Sequence, residues 1–206
     1  MTLGTVIRSF AAPSLFPGGL AWDGRTLWVA DDNTNLIYQI DPVTGTPIRS
    51  FASPGTQPRG LTWNGHHLWN CDLLDDAVYQ VDPVTGTLIR SLAVTTVPTG
   101  LTWDGRCLWY ADANTTLIYQ LDPMTGTRIR SVGAPAQTPT GLTWDGHHLW
   151  HSDIGAAAIY QIDPITGTVV RSCNSPAPNP FDLAWDGRTL WIADTNTDRI
   201  YQMSVN

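Results

Sequence analysis

The chain has 206 residues and a net charge of −7, its acids all Asp and its bases all Arg. With no basic run to neutralise phosphates, nucleic acid is excluded as a partner, and no apolar run reaches the ~18 residues of a membrane span. Cys71, Cys107 and Cys173, odd in number and at unequal places in the repeat described below, read as free thiols and not as a disulfide framework or zinc site.

No signal-peptide pattern opens the sequence, so the expectation is a cytoplasmic protein or a piece of a longer one. Instead Gly4 to Phe10 (G-T-V-I-R-S-F) reads like Gly45 to Phe51 (G-T-P-I-R-S-F), an outer strand with nothing before it. Then comes G-L-A-W-D-G-R-T-L-W, Gly19 to Trp28, the first of five related stretches; the others start at Gly60, Gly100, Gly141 and Asp182. All ten tryptophans sit in these copies. A period near 41 residues with Trp, Asp-Gly and Gly punctuation is that of four-stranded propeller blades, not of helical repeats. The absence of Glu and Lys, residues of exposed helices, agrees.

The second unit shows the division. Arg59 to Trp63 is predicted as an inner strand, Asn64-Gly65 as a turn, and His67 to Cys71 as a second strand. A loop from Asp72 to Asp76 leads to a third strand, Ala77 to Val81. Asp82-Pro83-Val84-Thr85-Gly86 then makes a bulged hairpin, Gly86 taking the left-handed position, before an outer strand, Leu88 to Leu92. The fifth unit ends after its third strand, Ile200 to Met203. Residues 1–10 therefore supply the missing outer strand, which leaves no open edge. The expectation is an all-β, five-bladed propeller of four-stranded antiparallel blades, one monomeric domain over residues 1–206.

Leu190 to Tyr201 (L-W-I-A-D-T-N-T-D-R-I-Y) resembles the NHL-type propeller repeat. The unit running from Gly-Leu-Thr-Trp-Asp-Gly to Asp-Pro-x-Thr-Gly is similar to that of the five-bladed glutamine cyclotransferases. That resemblance implies an essential acid after the Gly-Leu of one blade. Here the positions hold Ala21, Thr62, Thr102, Thr143 and Ala184, which argues against cyclotransferase activity.

Residues found in every unit are read as structural, and those that break the pattern as candidates for function. Asp31, Asp72, Asp112, Asp153 and Asp194 close the second strand of each unit. A carboxylate ring of this kind suits a divalent cation at the channel mouth, whereas five copies favour capping of the loop that follows. Asp32, Asp75 and Asp76 add local acidity and are the further cation candidates. His66, His67, His147, His148 and His151 form no metal spacing once placed on strands and turns. Two positions vary most: the one after the connector proline (Gly18, Arg59, Thr99, Thr140, Phe181) and the one after the second Trp (Val29, Asn70, Tyr110, His151, Ile192). Both fall at the end of the disc that carries the variable loops, so Arg59, Thr99, Thr140, Phe181, Asn70, Tyr110 and His151 are the predicted contact residues. With no nucleophile–base constellation in view, the expected function is a non-catalytic scaffold for a protein or glycan, without a cofactor. The alternative is a lyase or lactonase using a divalent cation at the channel mouth.

Overall fold

The computed structural model describes residues 2–94 and 97–205. It contains 20 strands in five four-stranded antiparallel sheets. Blade 1 is β2 (Pro17–Trp22), β3 (Leu27–Asp31), β4 (Leu36–Ile40) and β5 (Pro47–Ala52). Blade 2 is β6 (Pro58–Trp63), β7 (Leu68–Asp72), β8 (Ala77–Val81) and β9 (Leu88–Ala93). Blade 3 is β10 (Pro98–Trp103), β11 (Leu108–Asp112), β12 (Leu117–Leu121) and β13 (Arg128–Gly133). Blade 4 is β14 (Pro139–Trp144), β15 (Leu149–Asp153), β16 (Ala158–Ile162) and β17 (Val169–Asn174). Blade 5 takes β18 (Pro180–Trp185), β19 (Thr189–Asp194) and β20 (Arg199–Ser204) from the end of the chain and β1 (Val6–Ala11) from its start, in the order β1-β20-β19-β18. The ring closes as predicted. No helix is long and apolar enough to cross a membrane.

The inner strands β2, β6, β10, β14 and β18 pack side by side around the axis. Glycine permits this: a Cβ at Gly60 would strike the backbone of Gly100 and Leu101, and one at Gly100 would strike the carbonyl of Thr140. The core lies in five clusters between blades, each centred on the second Trp of a unit, which is at most 2% exposed. The first Trp of each unit is only half-buried and rims the channel at the opposite end.

Between the two inner strands the predicted two-residue turn is a four-residue loop capped by a side chain. Asn64 Oδ1 accepts the N–H groups of His66 and His67 at 3.0 and 2.8 Å, and its aspartate counterparts do the same. Those aspartates have a second task. Asp23, Asp104, Asp145 and Asp186 accept the indole N–H of Trp28, Trp109, Trp150 and Trp191 at 2.7–3.0 Å. Three of them, Asp23, Asp145 and Asp186, have their pKa lowered by such hydrogen bonds against the opposing push of burial. Blade 2 has Asn64 here, and Trp69 Nε1 is buried with no acceptor among the described residues. Asn64→Asp should therefore stabilise the protein by about 1–2 kcal/mol, since it supplies a charged acceptor to an orphaned donor. Blade 4, which combines Asp145 with the same His-His pair, shows that the local sequence accepts the change. Thermal unfolding at pH 7 reads the gain, and a fall in melting temperature would refute it.

The hairpin between the third and outer strands is as predicted: in blade 2 Gly86 has φ +74°, its N–H bonds to the Asp82 carbonyl at 2.9 Å, and the register shifts between Gln80 and Val81.

Candidate functional site

The five inner strands start at the face that carries the β3–β4 loop and its equivalents. Here the side chains after the connector prolines surround the axis. Among them lies a cavity of about 330 Å³. Its wall is apolar on one side, where Leu73, Ala113 and Ile154 open their loops beside Val97 and Pro139. Thr99 and Thr140 also line it, with their hydroxyls spent between blades: Thr99 donates to the carbonyls of Ala111 and Pro139, Thr140 to those of Ser152 and Pro180.

The opposite wall holds Arg59, the only charge lining this cavity among the described residues. Arg59 leans over Gly18, where a Cβ would lie 3.7 Å from its Cδ. Its guanidinium lies against the rings of both Phe16 and Phe181, 4.6 and 4.8 Å from their centroids, in cation–π contact with each. Nη2 pairs with Asp32 Oδ2 at 2.9 Å, with both side chains nearly buried. Arg59 Nε and Nη1 are buried and have no acceptor among the described residues. Burial lowers the pKa of Arg59 while Asp32 holds it up. Burial likewise raises the pKa of Asp32, against the pull of Arg59. Phe16 sits at φ +70°, a left-handed backbone that bulky residues rarely adopt. Strain of this kind concentrates at sites where a side chain must be aimed.

Of the predicted contact residues, Arg59, Thr99, Thr140 and Phe181 meet at this mouth. Asn70, Tyr110 and His151 do not. All three are 0% exposed. They sit on the second strand, and the pleat turns this position toward the preceding blade, as the packing of Tyr110 with Trp69 and Cys71 shows. Asn70 donates to the carbonyls of Arg59 and Gly60, and His151 Nδ1 bonds to that of Gly141 at 3.1 Å. Burial pushes the His151 pKa down to about 4.

The five aspartates proposed as a cation ring are loop caps. Asp31, Asp72, Asp112, Asp153 and Asp194 are each 0% exposed, and each accepts N–H groups of its own loop. Asp72, Asp153 and Asp194 also bind the connector at Gln57, Thr138 and Asn179. Asp75 is engaged by the Tyr79 hydroxyl at 2.7 Å, and Asp76 holds the left-handed end of its loop at φ +46°. Among the described residues no three His, Cys, Asp or Glu side chains converge as metal ligands. These residues do not fit a divalent cation.

One acid was passed over in the sequence. Asp182 stands where the other four units have Gly19, Gly60, Gly100 and Gly141. It is 0% exposed and lies on the channel axis, where Oδ2 accepts the N–H groups of Leu20 and Leu61 at 2.7 and 3.3 Å and Oδ1 that of Leu142 at 3.2 Å. Burial pushes its carboxyl well above the usual range, and these donors, with Leu183, pull it back. The signal was available: a lone carboxylate in a column of glycines.

No family model and no curated protein matches the chain. Solved structures do. Glutaminyl cyclase of Myxococcus xanthus superposes with a TM-score of 0.84 over 100% of both chains at 15% identity. A streptogramin B lyase matches with TM-score 0.57 and 20% identity, over 96% of this chain and 67% of that one. A catalytically inactive virginiamycin B lyase from Staphylococcus aureus with quinupristin gives 0.60 and 19%, over 96% and 69%. At these identities the likeness is one of fold, the five-bladed ring foreseen from the repeats. It nevertheless corrects the expectation of a non-catalytic scaffold for a protein or glycan: these structural neighbours are enzymes.

Proposed function

We propose that the chain is a lyase-type enzyme acting at the channel mouth, with Asp32 as general base and Arg59 as the group that stabilises developing negative charge on a carbonyl oxygen. The observation that carries this reading is Arg59 on the wall of an otherwise apolar cavity, paired at 2.9 Å with the part-buried Asp32. A charge pair with perturbed pKa values in a cleft is the common signature of acid–base chemistry. Beside apolar walls that partly exclude water, a guanidinium acts on a developing oxyanion more strongly than in bulk water. The lyases among the structural neighbours add weight, as does the poor fit of the aspartate ring to a metal.

In the reaction proposed, the proton on the carbon beside a carbonyl passes to Asp32. The electron pair moves onto the carbonyl oxygen, where Arg59 stabilises the enolate. Its collapse expels an acyloxy group one carbon further on, leaving a carbon–carbon double bond and a free carboxylate. No water is consumed.

The test is a panel of β-acyloxy carbonyl compounds and lactones, followed by the absorbance of the new double bond. Asp32→Asn should cost at least about 100-fold in kcat, the usual worth of a general base. Arg59→Met should cost a similar factor, and EDTA should leave activity intact. Turnover that survives Asp32→Asn, or that vanishes with EDTA and returns with a divalent ion, would overturn the assignment.

A further inference from the structure

Among the described residues the cavity is lined by one cation, Arg59, whose charge is balanced by Asp32 at 2.9 Å. Its remaining wall is apolar apart from three threonines, Thr99, Thr138 and Thr140, whose hydroxyls are already committed. An incoming carboxylate would find the Arg59 charge already balanced by Asp32 at 2.9 Å, and would approach a chain of net charge −7. An ammonium group would meet the converse. Either ion would also shed its hydration shell against Leu73, Ala113 and Ile154, a cost that an already neutralised partner does not return. A neutral carbonyl escapes this penalty. Arg59 keeps two buried N–H groups, Nε and Nη1, without an acceptor among the described residues, so hydrogen-bonding capacity remains for a ligand whose entry shifts the side chain enough to expose them.

Size sets the second limit. A cavity of about 330 Å³ holds one aromatic or leucine-sized group with its acyl unit. The rings of Phe16 and Phe181 meet edge to face at 5.2 Å and offer such a group an aromatic corner.

We infer that the mouth selects uncharged acyl compounds with a single aromatic or branched aliphatic body, and that the Arg59–Asp32 pair sets this preference by cancelling its own charge. The inference rests on the site of the proposed reaction but concerns binding alone.

The probes are N-acetylphenylalaninamide (neutral), N-acetylphenylalanine (anion) and phenylalaninamide (cation), titrated by calorimetry at pH 7. The intact protein should bind the neutral probe at least about ten-fold more tightly than either ion, a factor worth about 1.4 kcal/mol. Asp32→Asn, which leaves Arg59 unbalanced, should move the acid-to-amide ratio at least ten-fold toward the acid. Arg59→Met should move the balance toward the cation. Ala113→Phe, which fills the cavity from a loop, should weaken all three. The comparison of probes on the intact protein does not depend on any variant folding. Equal binding of acid and amide, an unmoved ratio in a folded Asp32→Asn protein, or no binding of any probe would overturn the inference. Selectivity as described without turnover of any ester would leave the inference standing and remove the lyase; Asp32-dependent turnover with no charge preference would do the reverse.

Discussion

Deletion of residues 2–11 should leave a protein that either fails to fold or elutes as an oligomer. β1 is the outer strand of blade 5, paired with β20 from Val6↔Met203 to Ala11↔Arg199. Without it β20 becomes an open edge, a template for pairing with another chain. The loss extends beyond one ladder. Phe10 packs 6.0 Å from Trp191 and lies against Gly45, where a Cβ would collide with its ring, so it latches blade 5 onto the hairpin of blade 1. Gly4 and Thr5 exchange backbone hydrogen bonds with Ser204, and Leu3 joins the last core cluster. Removing a part-buried Phe costs about 2–3 kcal/mol, below the ~3–5 of a fully buried one, and each lost backbone bond costs about 1 more. The sum rivals the ~5–15 kcal/mol that holds a domain of this kind together. Gel filtration and circular dichroism of the truncated protein decide the matter, and a peptide of residues 2–12 added in trans should restore the monomer. A truncated chain that stays monomeric and melts within a few degrees of the parent would show that the ring closes without this strand.

The blades were legible because each is specified five times over. Chance resemblance cannot repeat Trp, Asp-Gly and Asp-Pro-x-Thr-Gly at a fixed period, and strand boundaries in blade 2 fell within one residue of those found. The site was half legible. Reading which residues break the pattern picked out Arg59, Thr99, Thr140 and Phe181, because the inner strand begins at the mouth whatever its side chains are. It failed at Asn70, Tyr110 and His151 because period alone does not say which way the pleat turns a position when both sides of a sheet are buried. Asp32 was noticed for its charge and assigned to a metal. Its pairing with Arg59 of the next blade is a contact between units, which comparison within a unit cannot reveal.

Asp182→Ala should lower the melting temperature by about 6–12 °C, and formate should restore part of the loss. The inner strands turn the N–H groups of Leu20, Leu61 and Leu142 toward the axis, and the Asp182 carboxyl takes all three. An alanine leaves those donors facing a narrow, occluded channel. Each orphaned group costs about 1–3 kcal/mol, with entry of water returning part of it and relief of a desolvated carboxyl returning more. A net loss of about 3 kcal/mol corresponds to that shift for a chain of this length. Asp182→Asn separates the charge from the shape. Its amide presents an acceptor at one end and a donor at the other, and here both ends meet donors, so it should recover less than half of the loss. Formate carries the same two oxygens without the tether. At tens of millimolar it should raise the melting temperature of Asp182→Ala by several degrees and leave the parent unmoved, since the parent's own side chain fills the cup. An Asp182→Ala protein that melts with the parent and ignores formate would mean that the axial donors need no acceptor, and the carboxylate among the glycines would then lack a structural reason.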